Sequence, residues 1–371
     1  MNRQRWVAIM GASDRCPGTV IVRSGLSVLA GGYRAIVAGR NTLFDCGLRG
    51  GHRLPRPVIS IGNITTGGTG KTPMVIELAR RLRRTGCQPA IVLRGYRGDC
   101  DRLPMDPNYT GPPVPRCRRS DELNIYRQCF GDDVPVAADP DRTRSAAYLL
   151  HEHPGIDVFL LDDGFQHRQV HRDLDVVLID ATEPFGFGRL LPRGLLREPV
   201  ENLTRADAVI VTRADQVGAQ DLADLDARIT TLTGRPPRAH AAHCWTCYRD
   251  VLDRQVPLDD LANRNLLGVC GVGNPEAFAA SLEQYCGRET HQMTFADHHR
   301  YTLGDLHGVF SRADRCHVDA VVTTDKDWTS WKPLLTNNYP VPVYRPVLTI
   351  DFLVGGDELA STLDAVVRRT A

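Results

Sequence analysis

The run TTGGTGKT at residues 65–72 sets a lysine and a threonine directly behind a group of glycines. That order of residue types suits the phosphates of a nucleotide. Gly67, Gly68 and Gly70, with Thr65, Thr66 and Thr69 between them, can turn backbone N–H groups inward on an anion. Lys71 can reach the β- and γ-phosphates, and the Thr72 hydroxyl can serve a Mg²⁺ ion. The strict pattern has a glycine six residues before the lysine, where this chain has Thr65. The apolar strand-like run before the loop and the helical pattern after it supply the missing context. A phosphate loop also needs an acid ending a neighbouring strand, and VFLLDDGFQH offers Asp162 and Asp163. Gln166 and His167, just beyond, are expected to line the same cleft, and His171 to lie on the surface.

The elements that must carry these groups are legible in the hydrophobic pattern. From residue 56 to about 215 the runs PVISIG, PAIVLRG, IDVFLLDD, LDVVLID and ADAVIVT alternate with helical segments. Runs rich in Val, Ile and Leu on both faces are strands buried on both sides, so the expectation is a parallel sheet covered by helices. TPMVIELARRLRRTG, with one apolar stripe and a closing glycine, reads as the helix behind the phosphate loop. Residues 98–120, rich in Pro, Asp and Arg without periodicity, read as a long surface excursion. A connector falls at about 231–245, after which NLLGVCGVGNPEAFAASLEQYCG and VDAVVTTDKDW restart the rhythm. The fold expected is therefore α/β: a phosphate-loop (P-loop) NTPase-type parallel sheet over residues 51–235 and a second, smaller α/β domain over 236–371 that closes a cleft.

The 371 residues, 42% hydrophobic and 24% charged, suffice for two such units. A net charge of +1 argues against a protein that wraps nucleic acid. No obligate protein partner is evident. Eleven scattered cysteines without a secretory leader fit a reducing cytosolic compartment, and the lone pair Cys244 and Cys247 reads as ordinary cysteines. The stretch at 25–39 is short of the roughly 20 apolar residues needed to span a bilayer and carries Arg34. Leu26, Leu29, Tyr33, Ile36 and Val37 recur at about helical spacing, with Arg23, Arg34, Arg40 and Arg49 close by. The first 50 residues are thus either an amphipathic helix docked on an anionic membrane surface or a helix packed on its own domain.

Five stretches together resemble one family. GNITTGGTGKTP, RGY at 94–96, DDGFQHR at 162–168, LPRGLLREP at 191–199 and VTRAD at 211–215 are similar to those of tetraacyldisaccharide 4′-kinase, the lipid A kinase. The likeness runs in order from about residue 50 to 330. It implies an enzyme that uses ATP and Mg²⁺ to phosphorylate the 4′-hydroxyl of a tetraacylated glucosamine disaccharide 1-phosphate, a step of lipid A biosynthesis. The work would be done peripherally, at the cytoplasmic face of the inner membrane.

The resemblance also implies roles. The family's acid pair maps onto SDEL, making Asp121 the general base, with Glu122 beside it and with Ser120 and Leu123 departing from the family pattern. Residues alone would make SDEL no more than a capped helix start. The family's Phe-Pro-Asp-His maps onto FADH, so His298 would orient Asp121, with Ala296 in place of proline and His299 as competitor. Glu198 resembles an acid near metal and nucleotide, joining Thr72, Asp162 and Asp163 as the expected metal set. Arg197 and Arg142 become candidates for substrate or product phosphate, and Lys326 in TTDKD a residue of the nucleotide side. The rival readings are a GTP-driven switch or metal-insertion chaperone, and a non-catalytic membrane adaptor. Against the GTP switch, VTRAD carries Thr212 and Arg213 where guanine-binding proteins carry Asn-Lys.

Overall fold

The computed structural model describes residues 10, 16–95, 111–115, 117, 120–297, 299–335 and 340–368. Most of the excursion at 98–119, Tyr96 and His298 therefore fall outside the described residues. Helix α1 (Pro17–Asp45) leads into strand β1 (Val58–Asn63), the phosphate-loop helix α2 (Lys71–Arg84) and β2 (Pro89–Leu93). Then come α3 (Asp121–Phe130), β3 (Val136–Ala138), α4 (Arg142–Glu152), β4 (Val158–Asp162), β5 (Leu174–Asp180), β6 (Ala208–Thr212) and α5 (Ala219–Thr233). The later part holds β7 (Ala239–Arg249), β8 (Gln255–Val256), β9 (Leu266–Cys270), α6 (Pro275–Cys286), β10 (His291–Thr294) and α7 (Leu303–Arg315). It closes with β11 (Ala320–Thr323), α8 (Asp325–Trp331), β12 (Val343–Val354) and α9 (Gly356–Arg368).

All twelve strands belong to one sheet, ordered β10-β9-β11-β12-β7-β6-β5-β1-β4-β2-β3, with β8 at the side of β7. Strands β1, β2, β4, β5, β6 and β9 are buried at every position, which is why their sequences are continuous apolar runs rather than alternating ones. Apart from the short antiparallel pair β7–β8, the pairing within each half is parallel, and the halves meet at the antiparallel pair β7–β12. The register explains their geometry. Thr212 at the end of β6 sits opposite Ala241, so residues 242–249 of β7 run on past the edge of the first half. The second half hangs on that overhang through β12 and runs back the other way. The carboxyl ends of the strands in the two halves consequently face each other, each edge being where an open α/β sheet places its site.

The chain crosses between the halves twice, where one boundary near 235 was expected. Leu359, Leu363 and Val366 of α9 lie in the same core cluster as Ile59, Ile61, Met74 and Leu78 of the phosphate-loop half. A second, separate cluster around Leu267, Val269, Val321, Trp328 and Trp331 belongs to the smaller half.

Helix α1 is longer than the apolar stretch in the sequence suggested. From Gly18 to Asp45 it is, by length and composition alone, long and apolar enough to cross a membrane, and only 6% of its most apolar window is buried. Its predicted stripe divides between two faces. Val37 is buried and Tyr33 packs on the core, while Ile21 (73% exposed), Val28 (76%), Leu29 (61%) and Ile36 (72%) face outward. The docked face is tied down by polar contacts: Tyr33 donates to the Arg197 carbonyl at 2.9 Å, and Arg168 reaches the Asn41 carbonyl at 3.1 Å and Asp45 at 2.6 Å.

Candidate active site

β1 ends at Asn63, and the loop that follows turns into α2 at Gly70, whose φ of 85° is the left-handed region open to glycine. Gly67, at φ 134°, makes the other turn that a side chain would oppose. The loop is held on one side by the LPRGLLREP segment: Thr66 N–H donates to the Leu195 carbonyl at 2.7 Å, Thr65 bridges to Leu196, and Arg197 N–H donates to the Ile64 carbonyl at 2.8 Å. Inside the loop, Asn63 Nδ2 donates to Thr69 Oγ1 at 2.9 Å, and Gln166 Nε2 donates to the Asn63 carbonyl at 2.9 Å. Lys71 Nζ lies 3.2 Å from Asn63 Oδ1 and 3.4 Å from Asp163 Oδ1, at the head of α2.

The two aspartates at the end of β4 have different environments. Arg197 NH1 donates to both oxygens of Asp163, at 3.0 and 2.9 Å. Burial works against the Asp163 carboxylate, yet Lys71 and Arg197 together hold it well below the usual carboxylate range. Asp162 instead accepts from the Tyr126 hydroxyl at 2.9 Å, and its other oxygen is buried without a hydrogen-bond partner. Burial, then the charges of Glu122 and Asp163, push its pKa up to about 7, against the opposing pull of Lys71. Two adjacent acids are thus set apart: one clamped and charged, the other with a free oxygen in a site that disfavours its negative charge.

Tyr126 belongs to α3, the helix that opens at Asp121 with Ser120 as its N-cap, accepting from Leu123 N–H at 3.2 Å. The sequence reading of SDEL as a capped helix start is correct, and Tyr126 fixes that helix against the end of β4. Burial and Asp162 raise the Tyr126 pKa well above its ordinary value, with the Thr72 hydroxyl opposing. Tyr126 therefore sits between the residue after Lys71 and the acid opposite it. The side chain of Asp121 lies outside the described residues, and Glu122, one position on, is close enough to bear on Asp162.

Arg142, 2% exposed at the start of α4, has an Nε with no hydrogen-bond partner. Burial and the neighbouring Arg94 bring its pKa down to about 10, with Asp163, Asp162 and Glu122 opposing. Two guanidinium groups and three carboxylates thus share one region, the guanidinium groups being the donors suited to phosphate. His167 is kept neutral: burial, followed by Arg142, Arg172 and Arg40, lowers its pKa to about 4.

Glu198, expected near the metal, has one oxygen engaged, while its Oε1 is buried without a hydrogen-bond partner. It is 2% exposed, and its Oε2 accepts from Asn202 at 2.7 Å, Arg205 at 2.7 Å and Asn41 of α1 at 3.3 Å. It anchors α1 to the LPRGLLREP segment. His299 pairs with Asp305 at 3.2 Å and stacks on Phe295, and Lys326 pairs with Asp297 at 2.7 Å. Lys326, expected on the nucleotide side, is thereby tied to Asp297.

Several contacts on the phosphate loop come from residues with no phosphate motif of their own. His243 of β7 fills the space where a Cβ on Gly70 would stand, its Nε2 being 2.3 Å from that point. A Cβ on Gly273, in the turn between β9 and α6, would lie 2.8 Å from Gly68 N, so the smaller half touches the loop backbone to backbone. The signal for this second contact was GVGNP, a glycine turn between a strand and a helix.

A glycine loop between a buried strand and a helix headed by lysine, faced by an acid pair ending the next strand, defines a phosphate-loop nucleotide-binding protein. The family model described as LpxK, tetraacyldisaccharide-1-P 4′-kinase, matches residues 22–368. The tetraacyldisaccharide 4′-kinase of Syntrophus aciditrophicus is 36% identical over 343 residues, covering 90% of this chain and 89% of the relative. That of Anaeromyxobacter dehalogenans strain 2CP-1 is 35% identical over 336 residues, covering 90% and 88%. The crystal structure of LpxK from Aquifex aeolicus, solved in complex with ATP, superposes with a TM-score of 0.67 at 27% identity and covers 93% of this chain and 99% of that one. The chain belongs to the tetraacyldisaccharide-1-P 4′-kinase family.

Proposed function

We propose that the chain transfers the γ-phosphate of ATP to the 4′-hydroxyl of a tetraacylated glucosamine disaccharide 1-phosphate, with Mg²⁺ as cofactor. The observation that carries this reading is Tyr126. Its hydroxyl joins Asp162, opposite the phosphate loop, to the helix headed by Asp121. In this reading Asp121, which heads that helix, serves as the general base that takes the proton of the acceptor alcohol.

Lys71, at the N-terminus of α2, neutralises charge on the transferring phosphate, and the loop amides orient it. Arg142, with its unpaired Nε, and Arg197 are the cations for phosphate on the acceptor side. The free buried oxygen of Asp162 fits a cation, and Thr72 is the second candidate to hold it. Mg²⁺ bound there would screen the β- and γ-phosphate charges. Mg²⁺ commonly keeps water and phosphate oxygens among its ligands, so one or two protein side chains suffice. The smaller half closes the cleft, its Gly273 turn lying against the loop.

The GTP-switch reading loses ground on geometry as well as sequence, because Thr212 and Arg213 are committed to the loop and are not free for a base. A peripheral membrane site of action is supported by the outward apolar face of α1, and the cytoplasmic side follows in this reading from ATP as the phosphate donor. The deciding experiment measures ATP turnover with and without a detergent-dispersed tetraacylated disaccharide 1-phosphate. Turnover should depend on the acceptor and leave phosphate on its sugar. Acceptor-independent release of phosphate to water would overturn the assignment.

A further inference from the structure

We propose that Arg213 is a positioning residue that fixes the phosphate loop from behind, with Thr212 as its partner; the inference rests on the nucleotide-binding reading above. Thr212 ends β6 and Arg213 follows it, at the position where a guanine-reading protein carries Asn-Lys. Arg213 adopts φ 52°, the left-handed region that a bulky residue rarely enters, and this turns its side chain inward until it is 7% exposed. One arm of the guanidinium, NH1, pairs with Asp180 at the end of β5, and the other, NH2, donates to the Gly68 carbonyl at 2.8 Å. Asp180 is itself fixed, its second oxygen accepting from Thr182 N–H at 3.0 Å and Thr182 Oγ1 at 2.7 Å. Beside this chain of contacts, Thr212 Oγ1 donates to the Thr69 carbonyl at 3.1 Å.

The physical need is specific to a glycine loop. An amide can face a phosphate only if the carbonyl of the same peptide unit points the other way, and that carbonyl then needs a donor. Gly67, Gly68 and Gly70 give the loop little intrinsic resistance to peptide rotation. Arg213 holds the 68–69 peptide and Thr212 the 69–70 peptide by their oxygens, so the Gly70 N–H is held on the inner side. Arginine suits the role because a planar fork can span Asp180 and Gly68 at once, whereas an ammonium on a flexible stem acts as a point charge.

Arg213→Lys in the full-length protein is the test, read by calorimetric ATP binding in Mg²⁺ buffer and by KM for ATP and for the acceptor. Lysine can keep the pair with Asp180 but not the second arm. The expected result is ATP affinity weakened roughly 10- to 100-fold, the size of one charge-assisted hydrogen bond, with acceptor KM unchanged and melting temperature near wild type. ATP affinity equal to wild type in Arg213→Lys would overturn the proposal. So would an equal loss of ATP and acceptor binding together with a large drop in melting temperature, which marks a merely structural role. Should Arg213→Lys fail to fold, Thr212→Val removes only the hydroxyl, with its contacts to the Thr69 and Ile179 carbonyls, and must still weaken ATP binding; a silent Thr212→Val overturns the proposal too. Wild-type protein that binds no ATP would sink the functional reading itself, and that result appears before any variant is made.

Discussion

Lys71→Ala separates chemistry from folding in one substitution. Lys71 Nζ stands 3.4 Å from Asp163 and 3.2 Å from Asn63, with its side chain 15% exposed. A unit charge at about 4 Å from a phosphate oxygen, in a partly buried site of effective dielectric constant about 20, contributes about 4 kcal/mol. At about 1.4 kcal/mol for each tenfold in rate, its loss should lower phosphoryl transfer roughly 10³-fold. The same change should leave the fold standing. Asp163 keeps Arg197 on both oxygens, so no buried carboxylate is left without a cation. Only Asn63 Oδ1 loses a donor, a cost of about 1 kcal/mol, or about 2–4 °C in melting temperature at most. The assay follows labelled γ-phosphate into a detergent-dispersed acylated disaccharide, with a melting curve on the same preparation. Activity above a tenth of wild type would refute the charge argument. A collapse of melting temperature alongside lost activity would move Lys71 from the reaction to the core.

Asp121→Asn should preserve ATP binding and lower turnover about 10²–10⁴-fold, the usual range for a general base; near-full turnover in that variant while His298→Ala is inactive would reassign the base. Stability should fall on acidification below about pH 6.5, the ordinary histidine value. Burial, followed by Arg213, brings His243 down to about 3, and His167 lies at about 4, so the unfolded chain takes up protons first and the stabilisation present above pH 6.5 is lost as pH drops. Melting temperatures from pH 7.5 to pH 5 should therefore decline less steeply in His243→Asn, and an unchanged slope would show that His243 does not carry the effect. Replacing Ile21, Val28, Leu29 and Ile36 together with serine should reduce sedimentation with anionic vesicles and turnover on vesicle-borne substrate, while turnover in detergent persists because Tyr33, Val37 and Asn41 keep α1 docked. Vesicle binding equal to wild type would remove the outward face of α1 from membrane attachment.

What the sequence revealed and what it hid divide along sequence separation. The phosphate loop and its flanking strand and helix were readable because a strand, a glycine turn and a capped helix are contiguous and their spacing is fixed by backbone geometry. The acid pair after β4 was readable for the same reason. The tie of Glu198 to α1 was not legible, because its neighbours in sequence say nothing of Asn41, 157 residues away, which with Arg205 and Asn202 engages its Oε2. Arg213 was legible only as a missing guanine signature, since its work depends on a left-handed backbone turn and on Gly68, 145 residues earlier. The stripe on α1 was seen, but a helical period does not say which side meets protein, and the helix uses both.

The overhang of β7 also decides how the enzyme can move. The chain passes between the two halves through a two-stranded ribbon, β7 against β12, whose register slips between Pro346 and Leu348 and again between Phe352 and Val354, and the halves also touch where α3 packs on α8. Because β12 runs straight into α9 and so into the core beneath the phosphate loop, the ribbon is clamped at one end like a cantilever. Widening of the gap to admit a bulky acylated sugar would part α3 from α8 and flex that beam, most easily at the two slips, where the ladder of hydrogen bonds is already interrupted. Gly273, resting on Gly68 at the far side of the gap, then acts as the stop against which the beam closes.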